Sequence, residues 1–296
     1  MPNFANVGVI DTLMSVPAEM TGSGYSFLDG MMQGAHKKDT KKGHPADYLF
    51  KEVPKSEKGE EGAQFVLGEM DKHGVDMGVI DATDPEGVGS RTIGKYPNRF
   101  VGTVQLDPNR GMDAVRLLET RVQSGEVIAA SVFPAFVNPQ VPINDKKMYP
   151  IYAKCSELGV PIFLTTGVPG PRVPMMAQHV ELLDEVCWFF PDLKIIMRHG
   201  GDPWTELAAK LLLKWPNLFY STSAFAPKHY PRTIIDFANK RGADKVIYAG
   251  YFPIGLTLDR IFSELPDVPF GEDVWPKFLR ENAVRVLGLD KRFGLK

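Results

Sequence analysis

Short runs of apolar and β-branched residues recur along the chain, and the intervals between them leave room for one helix each. Within a run the apolar character is nearly continuous, which is typical of parallel strands that are covered on both faces. We count eight such runs, which predict strands over Val7–Asp11, Val75–Asp81, Phe100–Leu106, Val127–Phe133, Pro161–Thr165, Leu193–Arg198, Asn217–Tyr220 and Lys245–Ala249.

Amphipathic segments separate these runs and predict helices, of which several have Pro or Asp in the first turn. Gly74 and Gly159 stand just before a strand, where a left-handed helix stop would lie. The clearest segments are Glu61–Lys72, Gly111–Gln123, Lys147–Leu158, Pro174–Phe189 and Pro203–Leu213. Eight alternating βα units favour an α/β fold, a single (β/α)8 TIM barrel, although strand counting alone also allows a doubly wound open sheet.

Two segments exceed a minimal barrel. Residues 15–59 form a long first βα connection, which we expect to act as a lid or a partner surface, because loops of this length are usually functional. Residues 271–287 form an extra C-terminal helix with Trp275, Phe278 and Leu279. We expect this helix to pack across the barrel bottom or against a second copy in a homodimer. No linker divides the chain, so we expect one domain over residues 1–296.

Length, charge and cysteines restrict the class of protein. The 296 residues fit one barrel, which commonly takes about 250 residues plus insertions. A formal net charge of -2 gives no basic field for nucleic acid or an anionic membrane, and neither a leader-like N-terminus nor a long apolar run occurs. We therefore expect a cytoplasmic protein that binds a small molecule. Cys155 and Cys187 lack metal-binding spacing and are expected to be packed free thiols.

Candidate chemistry is sought at the C-terminal ends of the strands, where TIM barrels carry their reacting groups. The predicted ends are polar but poor in metal ligands. They carry Asp11, Leu13 and Ser15 after the first strand, then Asp81, Asp84, Gln105, Asp107, Ser131, Phe133, Thr165, Thr166, Arg198, His199, Ser221, Thr222, Ser223, Gly250 and Tyr251.

Several motifs stand in a recognisable order and spacing: Val9-Ile10-Asp11, Pro161–Gly167, Arg198–Gly201, Val246–Pro253 and Glu281-Asn282-Ala283. This arrangement resembles the amidohydrolase-related family that includes aminocarboxymuconate-semialdehyde decarboxylase, over nearly the whole chain. The segments Ala46–Phe50 and Tyr220–Phe225 are further similar to an actinobacterial subgroup of these amidohydrolases. The resemblance implies a TIM-barrel enzyme that is a hydrolase or a carboxy-lyase.

The resemblance also implies a divalent metal, held by two histidines after the first strand, a third after the fifth, a fourth after the sixth and an aspartate after the eighth. These positions fall on Leu13, Ser15, Thr165, His199 and Tyr251, so four of the five ligands are replaced. Zinc sites need three or four imidazole, thiolate or carboxylate donors. We therefore predict no metal cofactor here. The alternative is a divalent ion such as zinc in a rearranged site that uses Asp11, Asp84 or His44.

His199 is the one family ligand that remains, and we predict that it acts as the general base. A neutral imidazole accepts protons near pH 7, and Gly200 and Gly201 permit close approach of a ligand. The alternative is a hydrogen-bonded core histidine that holds a loop. Tyr251 is predicted as a second catalytic residue that donates a proton or holds a carbonyl, unless it only fills the volume of the lost metal.

Substrate binding is predicted for a set of polar strand-end residues. These are Ser15, Thr165, Arg198, Ser221 and Asp11. Regular strand alternation would point Arg198 away from His199, into a salt bridge beneath the helices. If the strand end turns Arg198 inward instead, its guanidinium becomes a clamp for a substrate carboxylate.

Three functions remain open. The first is metal-independent hydrolysis of an ester, lactone or ring carbonyl of a small, partly apolar carboxylic acid, for which pyrone dicarboxylate lactonases offer a similar case. The second is a lyase, either a non-oxidative decarboxylase or a carbon–carbon cleaving enzyme. The third is a barrel without catalysis that serves as a binding or scaffold protein. Loss of metal ligands weakens the lyase most, because the family's decarboxylases use the metal to hold substrate oxygens.

Overall fold

The structure is a computed structural model and describes residues 7–17, 28, 30–41, 46–50 and 59–294. Eight strands form one sheet in the order β1 to β8, and each strand is parallel to the next. The strands are β1 Val9–Asp11, β2 Val75–Asp81, β3 Phe100–Gln105, β4 Val127–Val132, β5 Ile162–Thr165, β6 Ile195–Arg198, β7 Leu218–Ser221 and β8 Val246–Ile247. The predicted TIM barrel is confirmed.

The barrel closes where the chain beyond β8 meets the chain beyond β1. Met14 and Phe252 form a parallel bridge, and Ser15 N donates to Phe252 O at 3.0 Å. Tyr251 N donates to Leu13 O at 3.1 Å. These bonds lie past the regular strands, so the ends of β1 and β8 are fixed to each other at the mouth of the barrel.

Alternate residues of the strands fill the inside of the barrel. Phe163, Ile196, Phe219 and Ile247 are buried in one cluster with apolar residues of the segment that covers one end of the barrel, namely Ala283, Val284, Val286, Leu287 and Leu289. Because side chains alternate along a strand, the residues two positions further on from these four strand residues and from Val79 also point inward. Those residues are Asp81, Thr165, Arg198, Ser221 and Ala249.

The α-helices of the described chain are α1 Gly59–His73, α2 Val88–Lys95, α3 Met112–Gln123, α4 Tyr149–Leu158, α5 Leu183–Phe189, α6 Thr205–Lys214, α7 Arg232–Phe237, α8 Leu258–Glu264, α9 Val274–Pro276, α10 Asn282–Leu287 and α11 Leu289–Phe293. The last two belong to the segment that covers one end of the barrel. The single helix predicted over 174–189 is wrong. Two short 3-10 turns precede α5, because His179 adopts an extended backbone and its ring caps Glu181 N. Within the part of the chain that is described, no helix has the length and apolar character needed to cross a bilayer.

The C-terminal segment packs on its own chain. Trp275, Phe278 and Leu279 are buried in the main core, and the residues that follow close the barrel. We predicted that this segment packs across the barrel or against a second copy of the chain. The barrel of the same chain buries these side chains, so they do not form a dimer surface. The homodimer stays a prediction. Cys155 and Cys187 are buried free thiols, as predicted.

Candidate active site

The floor of the barrel mouth is formed by three neighbouring polar side chains. Thr165 is paired with Arg198 across β5 and β6, and the register of Met197 with Tyr220 places Ser221 beside Arg198 on β7. All three are buried. Within the described chain, Thr165 Oγ1, Ser221 Oγ and both Nε and Nη2 of Arg198 have no hydrogen-bond partner. The predicted substrate-binding residues Thr165, Arg198 and Ser221 therefore come together.

Arg198 points into the barrel, so the predicted salt bridge beneath the helices is wrong. Its guanidinium lies over the Phe163 ring at 4.1 Å, and Phe163 belongs to the inner cluster. Burial lowers the pKa of Arg198 to about 9, against the opposing influence of Asp81 and Tyr251. The inward direction follows the alternation of β6, in which Ile196 also points inward.

His199 reaches the mouth by a different route, because the strand ends before it. Its φ is 60°, and Gly200 and Gly201 also have positive φ. Tyr251 has a φ of 60° as well, and its ring meets the His199 ring edge-on at 5.3 Å between centroids. Positive φ is uncommon in residues other than glycine, and such strain is found most often at functional sites. The two predicted catalytic residues are thus held side by side.

Ser223 holds His199 through both the backbone and the ring. His199 N donates to Ser223 Oγ at 3.0 Å, and the same oxygen lies 3.1 Å from Nδ1 of the imidazole. Ser223 is completely buried. Sequence reasoning noted Ser223 at the rim but assigned it no role, because the contact depends on the turn after β6.

Part of the long first connection covers the mouth. Phe50 stacks on Tyr251 with ring centroids 5.8 Å apart. Tyr48 Oη donates to Gly170 O at 2.7 Å, and the Arg172 guanidinium lies 4.1 Å from the Tyr48 ring. Residues 46–50 therefore dock on the loops after β5 and β8, and the role of residues 15–59 as a lid or a partner surface stays a prediction. His44 lies outside the described residues.

Asp11 does not line the mouth, which corrects its assignment to substrate binding. Its Oδ1 accepts hydrogen bonds from Leu13 N at 3.0 Å and Gly250 N at 2.9 Å. A Cβ on Gly250 would lie 2.5 Å from Asp11 Oδ2 and 3.2 Å from Ile261 of α8, so the carboxyl group faces the helix layer. Burial raises its pKa to about 7, against the two backbone bonds. Asp11 fixes the seam between β1 and β8.

Ser15, the remaining predicted binding residue, is half-buried just past that seam. Its backbone, rather than its side chain, makes the contact to Phe252 that closes the barrel.

Asp81 is a site residue that was not selected from the sequence. It ends β2, points inward, and remains exposed to solvent at the mouth. Thr83 Oγ1 donates to its Oδ1 at 2.6 Å and itself accepts a bond from Gln105 N at 2.7 Å. Desolvation of the carboxyl group raises the pKa of Asp81, while hydrogen bonds from Thr83 and the charges of Arg198 and Arg121 oppose the shift. The alternation of inward and outward side chains along β2 is the sequence signal that could have identified Asp81.

The five positions at which the resemblance implies metal ligands do not offer the family's donor set. The five positions offer one imidazole, one phenol, two hydroxyls and an aliphatic side chain, which is too poor a donor set for a divalent ion. Among the described residues, the group of three potential ligands within 4.8 Å is Glu69, His73 and Asp259, on the outer helices α1 and α8. Lys72 also binds Asp259 there at 2.7 Å.

Solved structures with similar folds cover nearly the whole chain at low identity. An uncharacterised TIM-barrel protein from Bordetella bronchiseptica has 19% identity and a TM-score of 0.72, over 96% of this chain and 100% of that one. A 5-carboxyvanillate decarboxylase from Novosphingobium aromaticivorans, in complex with manganese and 4-hydroxy-3-methoxy-5-nitrobenzoic acid, has 15% identity and a TM-score of 0.67, over 96% and 97%. A probable 2-pyrone-4,6-dicarboxylic acid hydrolase from Acinetobacter baumannii, with citric acid bound, has 15% identity and a TM-score of 0.62, over 95% and 99%.

No curated protein matches the sequence. The profile of the amidohydrolase family matches residues 35–289, which is most of the chain and includes seven of the eight strands. The barrel, its strand order and this match agree with the resemblance carried by the motifs. The chain therefore belongs to the amidohydrolase family.

Proposed function

We propose that this protein is a hydrolase that cleaves an ester or lactone of a small, partly apolar carboxylic acid without a metal cofactor. The observation that carries the proposal is a set of buried polar atoms on Thr165, Arg198 and Ser221 that have no hydrogen-bond partner among the described residues. Buried polar groups are almost always paired, and a buried charge without a partner is costly. A ligand that supplies the missing partners accounts for their retention.

The ligand group that fits this floor is a carboxylate. A guanidinium presents parallel N–H donors that match two carboxylate oxygens, and the hydroxyls of Thr165 and Ser221 can donate on either side. Aromatic rings limit the space for the rest of the substrate. The ring centroids of Phe133 and His199 are 6.4 Å apart, and the Phe50 ring stacks on Tyr251. The favoured substrate is therefore a small acid with an apolar or ring-shaped body.

Cleavage takes place at the other end of the substrate, beside His199 and Tyr251. Water attacks the ester or lactone carbonyl, and the developing oxyanion is stabilised by hydrogen-bond donors at this edge of the mouth. Two groups could accept the proton of water, namely Asp81 and His199. The leaving oxygen takes that proton back as its bond to carbon breaks, which yields an acid and an alcohol or a ring-opened hydroxy acid.

A decarboxylase is the second candidate, and the similarity to 5-carboxyvanillate decarboxylase favours it. The floor argues against it in one respect. A carboxylate bound to arginine is stabilised as a carboxylate, so the group on Arg198 would be retained and not lost. A lyase would need a second carboxylate on its substrate, placed beside His199.

The test uses purified protein, with 2-pyrone-4,6-dicarboxylate for hydrolysis and 5-carboxyvanillate for decarboxylation. Ring opening is followed by absorbance and CO2 release by a coupled assay, before and after treatment with a chelator, with metal content measured on the same sample. We expect ring opening that survives chelation. Release of CO2 without hydrolysis, or activity that is lost with a stoichiometric metal and restored by it, would contradict the proposal.

A further inference from the structure

We propose that Ser223 holds neutral His199 with its proton on Nε2, so that His199 donates a hydrogen bond to the substrate carbonyl and Asp81, not His199, takes the proton of the attacking water. This inference rests on the proposed hydrolysis and reverses the role predicted for His199. It follows from the hydrogen bonds of one buried hydroxyl.

Ser223 Oγ has two hydrogen-bond contacts within the described chain, and both go to His199. It accepts from the backbone N–H at 3.0 Å, and it lies 3.1 Å from Nδ1. A hydroxyl carries one proton to donate, and Ser223 has no access to water. If Nδ1 were protonated, the oxygen would face two donors and its own proton would have no acceptor. The hydroxyl therefore donates to Nδ1, and the imidazole proton lies on Nε2.

The turn around His199 keeps this arrangement rigid. His199 has a φ of 60°, and Ala224, next to Ser223, has a φ of 71°. A Cβ on Gly200 would lie 2.6 Å from Tyr220 Oη, so this position admits only glycine without a shift. Because one oxygen binds both the backbone and the ring of the same residue, rotation of the imidazole would break the Nδ1 contact. Ser223 is thus a positioning residue.

The tautomer decides what His199 can do. With Nδ1 engaged by Ser223 and Nε2 protonated, the neutral ring has no lone pair with which to accept a proton from water. It can instead donate from Nε2, and a neutral imidazole that polarises a carbonyl is an established catalytic arrangement. His199 and the Tyr251 hydroxyl would then stabilise the same developing oxyanion.

Asp81 is the group that can accept the proton. It ends β2, which stands opposite β6 in a barrel of eight strands, so substrate bound on the floor lies between Asp81 and His199. The Thr83 hydroxyl holds Oδ1 and so fixes the position of the carboxylate, to which we assign the proton of the attacking water. Water adds its oxygen to the carbonyl carbon, its proton passes to Asp81, and the carbonyl electron pair becomes the oxyanion. The protonated Asp81 then protonates the leaving oxygen.

The first test is a long-range proton–nitrogen NMR spectrum of the protein with 15N-labelled histidine, in which His199→Gln identifies the His199 signals. We expect a protonated Nε2 and an unprotonated Nδ1 without any substrate present. A protonated Nδ1 would overturn the inference and would leave the proposed hydrolysis standing, with His199 as its base. Absence of turnover, by contrast, would count against the proposed function alone.

The second test compares variants with 2-pyrone-4,6-dicarboxylate as the substrate. Glutamine can donate from its amide but cannot act as a base, so His199→Gln should keep kcat within about tenfold, while His199→Ala should lose about a hundredfold or more. Asp81→Asn should lose at least about a hundredfold. The matched control Asp113→Asn, in which Asp113 pairs with Arg116 on the exposed face of α3, should keep its activity. Equal losses in both His199 variants, or full activity of Asp81→Asn, would refute the assignment.

Discussion

Two arginines of this barrel are almost equally buried, yet among the described residues only one of them has hydrogen-bond partners for its guanidinium. Arg121 on α3 is 5% exposed, and its guanidinium donates to Ala82 O, Ser90 Oγ and Glu126 Oε2 at 2.8–2.9 Å. Arg198 on β6 is 3% exposed, and its Nε and Nη2 have no partner among the described residues. The first lies between the barrel and its outer helices, and the second lies at the floor of the mouth.

This difference separates residues that stabilise the fold from residues that await a ligand. A hydrogen bond to a charged group contributes about 1.5–3 kcal/mol, whereas an unpaired buried donor costs a similar amount. Arg121 thus adds to stability, and Arg198 lowers it. Proteins tolerate such a cost where function requires it, which is why active sites are often less stable than the scaffold around them.

The largest expected effect is on ligand binding by Arg198→Met. Removing one partner of a buried charge pair costs about 2–5 kcal/mol, so affinity for 2-pyrone-4,6-dicarboxylate should fall by roughly a thousandfold. Thermal stability without ligand should stay the same or rise, because an unpaired buried charge is replaced by an apolar side chain of similar length. Calorimetric titration and thermal unfolding measure the two effects. Weak loss of affinity with strong loss of stability would mean that Arg198 belongs to the scaffold.

The buried acid at the seam gives the next effect, which appears as a dependence of stability on pH. The folded state raises the pKa of Asp11 from 3.8 to about 7, so it binds a proton more tightly than the unfolded chain does. The stability contributed by this proton is complete below pH 3.8 and is lost as the pH rises through 7, a change of about 4 kcal/mol. Asp11→Asn, which cannot ionise, should remove this slope in urea unfolding between pH 5 and 8. Parallel pH profiles for the two proteins would contradict the assignment.

Arg121→Met is the counterpart of Arg198→Met and should act in the opposite way. The change leaves Ala82 O and Ser90 Oγ without a donor and removes the ion pair with Glu126, so the free energy of unfolding should fall by about 3 kcal/mol. Ligand affinity measured on the folded protein should not change. If Arg121→Met were as stable as the unchanged protein, the contrast between the two arginines would lose its physical basis.

The fold could be predicted from the sequence because strands that are buried on both faces of the barrel give regularly spaced apolar runs. The runs at residues 75–81 and 100–106 predicted strands to within one residue, since parallel strands buried on both faces are continuously apolar. The helix predicted over 174–189 failed because His179 breaks it with a side-chain cap, which a window average does not reveal.

The site was readable only in part. The sequence identified the polar strand ends Thr165, Arg198 and Ser221. It gave the wrong direction for Arg198, because that direction was set opposite to His199 on the assumption of a regular strand, whereas His199 has a left-handed backbone conformation. Counting alternation from Ile196 gives the inward direction instead. Asp11 was wrongly assigned to substrate binding because the alternation of inward and outward side chains along its strand was not applied. Ser223 was given no role because a turn, which the sequence pattern does not predict, brings it to His199.

The smallest and sharpest contrast compares two adjacent threonines. Thr165 Oγ1 is buried and has no hydrogen-bond partner in the part of the chain that the structure describes, whereas Thr166 Oγ1 donates to Arg198 O at 3.1 Å. Thr165→Val should therefore raise the free energy of unfolding by up to about 1 kcal/mol, and Thr166→Val should lower it by about 1 kcal/mol. Affinity for 2-pyrone-4,6-dicarboxylate should fall about fivefold to tenfold in Thr165→Val, because the ligand loses one hydrogen bond. Equal stability changes in the two variants would show that Thr165 pays no cost for its missing partner and would remove it from the carboxylate site.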